Sequence, residues 1–507
     1  MENLILIAKA LITVIYLTAF GLLCLFGLHR YYLVYVFNKY KNQVPKPKGK
    51  FKKLPIVTVQ LPIYNEMYVV ERLISTACEI DYPRELMEIQ VLDDSTDQTQ
   101  EIAKNCVDYY KSMGFQIHYI HRDNRRGFKA GALEEGLSSA KGELIAIFDA
   151  DFIPPKDFLQ KTVDFFSDPK IGMVQVRWGH LNLDYSTLTR AQSILLDGHF
   201  VIEQASRFYA GRFFNFNGTA GVLRKECIKS AGGWQHDTLT EDLDLSYRAQ
   251  LKGWKFIYLK DITAKAELPV DMNAFKSQQH RWAKGAIQTA KKLLPRVLRA
   301  KDVPLLTKVE AVFHLLGNFA YVLLLLLIFL MFPIAYFWQS IGWEKVVLLN
   351  LFAISAGTIS FIRFYIITLR EVHGKNWTNY LKYIPLSIAL GTGLAINNSK
   401  AVLEALLGKG SEFIRTPKFA VTSKRDDWRT RSYATSRGIT TLIEFGLGLF
   451  FILQTFYAIF MGYIGWIPFL FIIQLGFIYT SLLSIFHGSR RHPSLIPKPV
   501  FQKKEGL

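Results

Sequence analysis

Between Asp93 and Trp282 the chain carries, in order, Asp93-Asp94, Asp149-Ala150-Asp151, Thr240-Glu241-Asp242 and Gln278-Gln279-His280-Arg281-Trp282. Asp149 and Asp151, one residue apart, offer hard oxygen ligands that suit Mg2+ or Mn2+ carrying a diphosphate. Lys129, in Arg125-Arg126-Gly127-Phe128-Lys129, opens a helix whose amino end can face phosphate oxygens. Arg281 suits a diphosphate, and Trp282 offers an aromatic face to a sugar ring.

Each group also has a plainer reading. Acids after strands are commonly solvated loop residues, and one of Asp93 to Asp97 can cap the helix that begins near Thr99. Thr240 can cap the next acidic helix, with Glu241 and Asp242 offsetting its dipole. The succession of all four groups in one domain favours shared chemistry over separate coincidences. His280 has no second histidine at a ligand spacing. There is no G-x-G-x-x-G and no G-x-x-x-x-G-K-[ST], so a glycine-rich phosphate cradle is not expected.

The elements that must position these residues are strands over 57–63, 88–92, 116–121 and 143–148, separated by helical stretches near 66–80, 99–112 and 129–140. This alternation predicts βαβ units and a largely parallel sheet, with ligands at the carboxyl ends of the strands. Both Asp93-Asp94 and Asp149-Ala150-Asp151 follow such strands. A helix over 274–294 interleaves Lys276, Arg281, Lys284, Lys291 and Lys292 with apolar residues, as an interfacial helix does.

The chain has 507 residues, of which half are hydrophobic, with a mean hydropathy of +0.15. Residues 4–28, 311–338, 346–369, 439–461 and 463–486 are nearly free of charge and long enough to cross a bilayer. The net charge of +19 lies largely beside them, over 30–53, 408–437 and the tail after 487, so no nucleic acid partner is expected. Five spans with the amino terminus outside place all three basic segments and the soluble domain in the cytoplasm. That arrangement makes 383–407, whose apolar run breaks at Asn397-Asn398-Ser399-Lys400, interfacial or re-entrant. The first span reads as an anchor because its basic cluster follows it. No segment after the last span is long enough for a fused regulatory domain. The four cysteines, Cys24, Cys78, Cys106 and Cys227, have no zinc or redox spacing and read as free thiols.

The D, DxD, TED, QxxRW order resembles the membrane-embedded family 2 glycosyltransferases of the cellulose synthase superfamily. Phe214-Asn215-Phe216-Asn217-Gly218-Thr219-Ala220-Gly221 and Gly232-Gly233-Trp234 resemble especially the cellulose synthase-like A and C branches, which make mannan and glucan backbones, and their bacterial relatives. Phe419-Ala420-Val421-Thr422-Ser423-Lys424 matches the F-x-V-T-x-K gating loop of cellulose synthases.

The resemblance implies an α/β GT-A-type cytoplasmic domain inserted between transmembrane α-helices. The organisation expected is a membrane anchor over 1–30, the glycosyltransferase domain over 55–272 and an interfacial amphipathic helix over 273–300. Two transmembrane helices follow within 311–369, then an interfacial segment and gating loop over 383–437, two more helices within 439–486, and a basic tail over 487–507. The resemblance implies donor contacts from Asp93, Asp94, Lys129, Asp149, Gln278 and Arg281, and a metal held by Asp149 and Asp151. It makes Asp242 the catalytic base with Glu241 beside it, a choice that spacing cannot make. Trp282, Phe216, Asn217, Gly218 and Thr219 would meet the acceptor, with Asn217 where cellulose synthases usually carry cysteine, and Phe419, Val421, Thr422 and Lys424 would form the gating loop.

The activity implied is processive, inverting polymerisation of a β-linked, β-1,4, glucan or mannan from UDP-glucose or GDP-mannose, with export of the growing glycan through the bilayer. The alternatives are single transfer to a lipid acceptor, or a transporter whose domain only binds nucleotide. A bacterial inner membrane is favoured over a Golgi membrane.

Overall fold

The computed structural model describes residues 2–338, 355–410, 413–433, 438 and 440–488. Seven strands form one mixed sheet among these residues: β1 Val57–Ile63, β2 Met87–Asp93, β3 Gln116–His121, β4 Leu144–Ile147, β5 Ile171–His180, β6 Gly221–Arg224 and β7 Lys255–Ala266. Their order is β3-β2-β1-β4-β6-β5-β7, and β6 alone runs antiparallel to its neighbours. All of β1 and β2 is buried, as parallel strands covered on both faces must be. Because β1 pairs with β2 on one side and β4 on the other, the residues after β2 and β4 emerge together at one edge.

One face of the sheet packs against helices Val70–Cys78 and Thr99–Ser112. The other packs against Phe128–Ser139 and a continuous helix of three parts: Thr187–Asp197, a π turn over Gly198–Gln204, and Ala205–Tyr209. That second core also takes in Leu33, Val34 and Phe37 of the first helix, Glu2–Tyr40. At 39 residues this helix is roughly 58 Å long, far more than a bilayer core requires. Its end belongs to the domain, which corrects the expected anchor boundary at residue 30.

Among the described residues four helices are long and apolar enough to cross a membrane: Asn3–Tyr40, Leu305–Ile334, Thr440–Phe460 and Ile464–Gly488. The residues between the spans expected over 311–338 and 346–369, the start of the second of these and nearly all of the basic tail lie outside the described residues. The described end of that span continues as helix Ser360–His373, which buries Phe364, Tyr365 and Leu369 in the domain core beside Phe200. It carries Arg363, Arg370 and Glu371, and its buried face meets protein, not lipid.

The polar run at Asn397 to Lys400 does not break its helix. Ile384–Gly393 and Ala395–Leu406 meet at Leu394, and the second buries Asn397 and Asn398 against the long helix Met272–Arg299, where Asn397 Nδ2 donates to Lys276 O at 2.9 Å. Helix Ile384–Gly393 packs backbone to backbone on Ile467–Gly488; a Cβ at Gly476 would overlap the Ala389 carbonyl.

Helix Met272–Arg299 carries Gln278, Arg281 and Trp282, and the Asp271 side chain caps it by accepting from Asn273 N at 3.0 Å. Lys276 Nζ, buried, reaches Glu444 Oε2 at 2.7 Å on the span Thr440–Phe460. Truncating one member of a buried ion pair costs about 3–5 kcal/mol, because the other charge stays buried. Glu444→Ala should therefore lower the Tm of the detergent-solubilised protein by several degrees, and Glu444→Leu with Lys276→Met should recover most of it. Equal unfolding temperatures for wild type and Glu444→Ala in a thermal melt would contradict this anchoring.

Candidate active site

Asp94 lies just past β2, with both carboxylate oxygens held by Arg122: Nε to Oδ1 at 2.7 Å and Nη2 to Oδ2 at 2.5 Å. Arg122 also donates to the carbonyls of Arg126 and Phe128, so it fixes the turn that begins the next helix. Successive strand residues point to opposite faces. Asp93 accordingly turns inward, fully buried, accepting from Tyr119 OH at 2.6 Å and Ser95 N at 2.8 Å, and only Asp94 of the pair lines the cavity. The residue that helps cap helix Thr99–Ser112 is Asp97, which accepts from Thr99 N at 2.9 Å.

Lys129 enters the cavity from the first turn of helix Phe128–Ser139. Its Nζ donates to Asp149 Oδ1 at 2.5 Å and Gly218 O at 2.9 Å, and lies 3.9 Å from Glu241 Oε1. Asp149 is oriented from behind, its N–H donating to Thr219 Oγ1 at 2.9 Å. Gly218 has φ +82°, and a Cβ there would sit 3.1 Å from Asp242 Oδ2 and 3.4 Å from Lys129 Nζ. One ammonium thus faces carboxylates from two elements and a backbone carbonyl from a third. Burial alone would depress the Lys129 ammonium, but Asp149, Glu241 and Asp242 outweigh it and hold it above its ordinary value. Asp242 is pushed up to about 7, first by enclosure in protein and then by the Glu241 charge, with Lys129 opposing.

Thr240 does not cap its helix, Glu241–Leu251, through its side chain. The hydroxyl lies 3.3 Å from Thr289 Oγ1, and the Thr240 side chain presses on Gly285, where a Cβ would come within 2.6 Å of it. Gly285 thereby lets helix Met272–Arg299 close on the acidic turn. Gln278, Arg281 and Trp282 line that wall of the cavity, and Arg281 stacks its guanidinium 4.3 Å from the Phe413 ring centroid.

The cavity is roofed by residues 413–418. Lys418 Nζ, buried, donates to Asp151 Oδ2 at 2.6 Å and Glu267 O at 2.7 Å, and Phe419 N donates to Glu267 Oε1 at 3.0 Å. Arg415 lies 3.3 Å from Glu66, whose carboxyl is pushed up to about 8 by burial against the pull of Arg415. Of the expected gating residues, Phe419 and Val421 are buried with Val270, Thr422 bonds Asp426, Lys424 is exposed, and none of the four lines the cavity. Phe413, Arg415, Thr416 and Lys418 do. Sequence reading missed Lys418 although it adjoins Phe419, and it missed Arg415, Glu66, Glu267 and Arg122. Phe216 and Thr219 are fully buried and support the wall from behind, whereas Asn217 and Gly218 line it.

Asp149 and Asp151 are hard oxygen donors, each already faced by a lysine. Among the described residues no group of three or more His, Cys, Asp or Glu side chains is arranged to hold a metal ion. Two carboxylates fit an ion such as Mg2+ or Mn2+, which completes its shell with water and substrate phosphates.

The model of a family described as glycosyltransferase-like family 2 matches residues 55–285. That stretch is a family 2 glycosyltransferase domain. The domain is similar to the probable glucomannan 4-beta-mannosyltransferase 4 of Oryza sativa subsp. japonica, 44% identical over 274 residues that make up 53% of this chain and 49% of the relative. Glucomannan 4-beta-mannosyltransferase 7 of Arabidopsis thaliana is 44% identical over 259 residues, 50% of this chain and 47% of the relative. The chain spans about half the length of these curated relatives. Both are plant proteins, which points away from the bacterial inner membrane expected above. In fold, the chain is similar to a mannosyltransferase of Pyrobaculum calidifontis in complex with GDP-Man and Mn2+, with a TM-score of 0.53 at 19% identity over 79% of this chain and 99% of that one. The sheet of the glycosyltransferase domain is of the GT-A kind.

Crowding at Gly218 gives the domain a direct test. Gly218→Ala would force a left-handed backbone and push a methyl group between Lys129 and Asp242, so turnover should fall at least about tenfold while Tm changes by only a few degrees. A Gly218→Ala protein with wild-type turnover of a nucleotide sugar would contradict the geometry.

Proposed function

We propose that the chain is a processive inverting glycosyltransferase that builds a β-1,4-linked mannan or glucan from GDP-mannose or UDP-glucose and passes it into its membrane helices. The observation that carries this is the gathering of Asp149, Glu241 and Asp242 around the Lys129 ammonium, in a cavity one wall of which, helix Met272–Arg299, is tied through Lys276 to Glu444 on a candidate membrane helix. The relatives named as glucomannan 4-beta-mannosyltransferases favour mannose, as does the GDP-Man bound by the archaeal protein of similar fold.

In this reading Asp94 meets the nucleoside, with Asp93 fixing the strand end behind it, while Lys129, Arg281 and Gln278 hold the diphosphate. A divalent cation at Asp149 and Asp151 would supply further positive charge to the leaving group. Asp242 takes the proton from the acceptor hydroxyl, whose oxygen attacks C1 on the side opposite the diphosphate, so an α-linked donor gives a β-linked product. Glu241 keeps the affinity of Asp242 for a proton high. Trp282, Asn217 and Gly218 meet the acceptor sugar, and residues 413–424 act as the gate, with Lys418 docked on Asp151 in the closed state. The anchor, interfacial helix and remaining spans hold the domain on the cytoplasmic side of an internal membrane such as the Golgi.

Asp242 must be ionised to act, and its raised pKa means that this fraction grows as pH rises through about 7. The profile of kcat/KM should therefore show an acidic limb near pH 7, shifted downward in Glu241→Gln, which removes the charge that raises it. A limb near pH 4, or one indifferent to Glu241, would refute Asp242 as base. Asp242→Asn should abolish transfer while retaining the thermal stabilisation by GDP-mannose or UDP-glucose, and a chelator should stop transfer in the wild type; transfer that survives either treatment rules out the corresponding role.

A further inference from the structure

The amide of Asn217 is held on both sides by one π turn. Gln204 Nε2 donates to Asn217 Oδ1 at 2.6 Å, and Asn217 Nδ2 lies 3.0 Å from His199 Nε2. His199 and Gln204 are five residues apart, the hydrogen-bond spacing of a π-helix, and lie in the π turn Gly198–Gln204. In an α-helix that spacing would turn them to different faces. The network also fixes the atoms. Gln204 Nε2 donates to the Asn215 carbonyl at 2.8 Å as well, so the Asn217 atom facing it is the oxygen. Asn217 Nδ2 must then donate, which leaves His199 Nε2 as acceptor and its Nδ1–H pointing to Glu203 Oε2 at 3.1 Å.

Glu203 is in turn 3.5 Å from Arg207 Nη2, Arg207 Nε donates to Glu310 Oε1 at 3.0 Å, and Glu310 Oε2 lies 2.8 Å from His29 Nε2. The chain of contacts therefore runs from two candidate membrane helices to a residue lining the cavity next to Gly218. Burial works against the Glu203 carboxylate, but His199, Arg207 and Arg30 outweigh it and keep it ionised.

An asparagine amide has two N–H donors and two acceptor sites. Gln204 and His199 take one of each, leaving one donor and one acceptor for the cavity. We infer that Asn217 is a specificity-determining residue that reads a donor–acceptor pair of hydroxyls on the acceptor sugar, and that His199, Glu203 and Gln204 of the π turn are positioning residues that set its amide. This rests on the glycosyltransferase reading above. A site that hydrogen-bonds a hydroxyl discriminates far better than an apolar one, and a freely rotating amide forfeits that selectivity.

The test uses the 507-residue chain in detergent, with GDP-mannose or UDP-glucose as donor and a soluble β-1,4-manno-oligosaccharide as acceptor. His199→Ala and Gln204→Leu should raise the acceptor KM by about tenfold and leave the donor KM unchanged, and Glu203→Gln, which still accepts from His199, should stay near wild type. Should Gln204→Leu fail to fold, His199→Ala frees the other side of the same amide and carries the test. An unchanged acceptor KM in His199→Ala and in the Gln204 variant, or a donor KM that rises by the same factor, overturns the inference alone. A wild type that transfers neither sugar overturns the function reading and the inference with it.

Discussion

The Lys129 ammonium sits where three elements meet, and its place depends on a backbone that glycine supplies at Gly218. Asp149 comes from the end of β4, Glu241 and Asp242 from the start of a helix, and the Gly218 carbonyl from the loop before β6. Two unit charges about 4 Å apart at an effective dielectric of about 20 interact by roughly 4 kcal/mol, less where solvent screens the partly exposed Asp149. Without the ammonium, three like charges would face one another. The same balance that lets the site assemble leaves Asp242 with a proton affinity matched to neutral pH, which is the condition a general base needs.

Around this centre, much of the structure serves to hold cations against carboxylates. Arg122 grips Asp94, Lys418 bridges Asp151 and the Glu267 carbonyl, Arg415 faces Glu66, and Lys276 ties the Gln278–Trp282 helix to a membrane helix through Glu444. Diphosphate brings further negative charge, so a domain that binds it must carry more cationic groups than its own acids require. The segment bearing Arg415 and Lys418 supplies two of them from more than a hundred residues beyond the domain.

The parts of this arrangement visible in the sequence were those encoded locally. Strands β1 to β4 announce themselves by short β-branched runs, and the acids that follow them fall at the sheet edge because parallel connections put them there. Spacing did not show which of Asp93 and Asp94 faces the cavity, since adjacent strand residues diverge. Thr240 has the residue type of a helix cap, yet the approach of the later helix at Gly285 gives its side chain another neighbour. Lys418 lies 267 residues from Asp151, and its charge reads as part of a basic membrane-side loop. The π turn at Gly198–Gln204 has no signature in hydrophobic periodicity, so the setting of Asn217 emerged only from the fold. The apolar run of helix Glu2–Tyr40 ends well before the helix does, so its sequence shows the anchor and not the turns bearing Leu33, Val34 and Phe37 that join the domain core.

In the proposed function one displacement is repeated to make a polymer, and the product itself tests that. The purified 507-residue chain should be incubated with radiolabelled GDP-mannose or UDP-glucose and Mn2+, and the product sized and digested with β-1,4-specific endoglycanases. A long product cleaved by a β-1,4-mannanase or β-1,4-glucanase is the predicted result. An α-linked product, or a single sugar attached to lipid, would contradict the account.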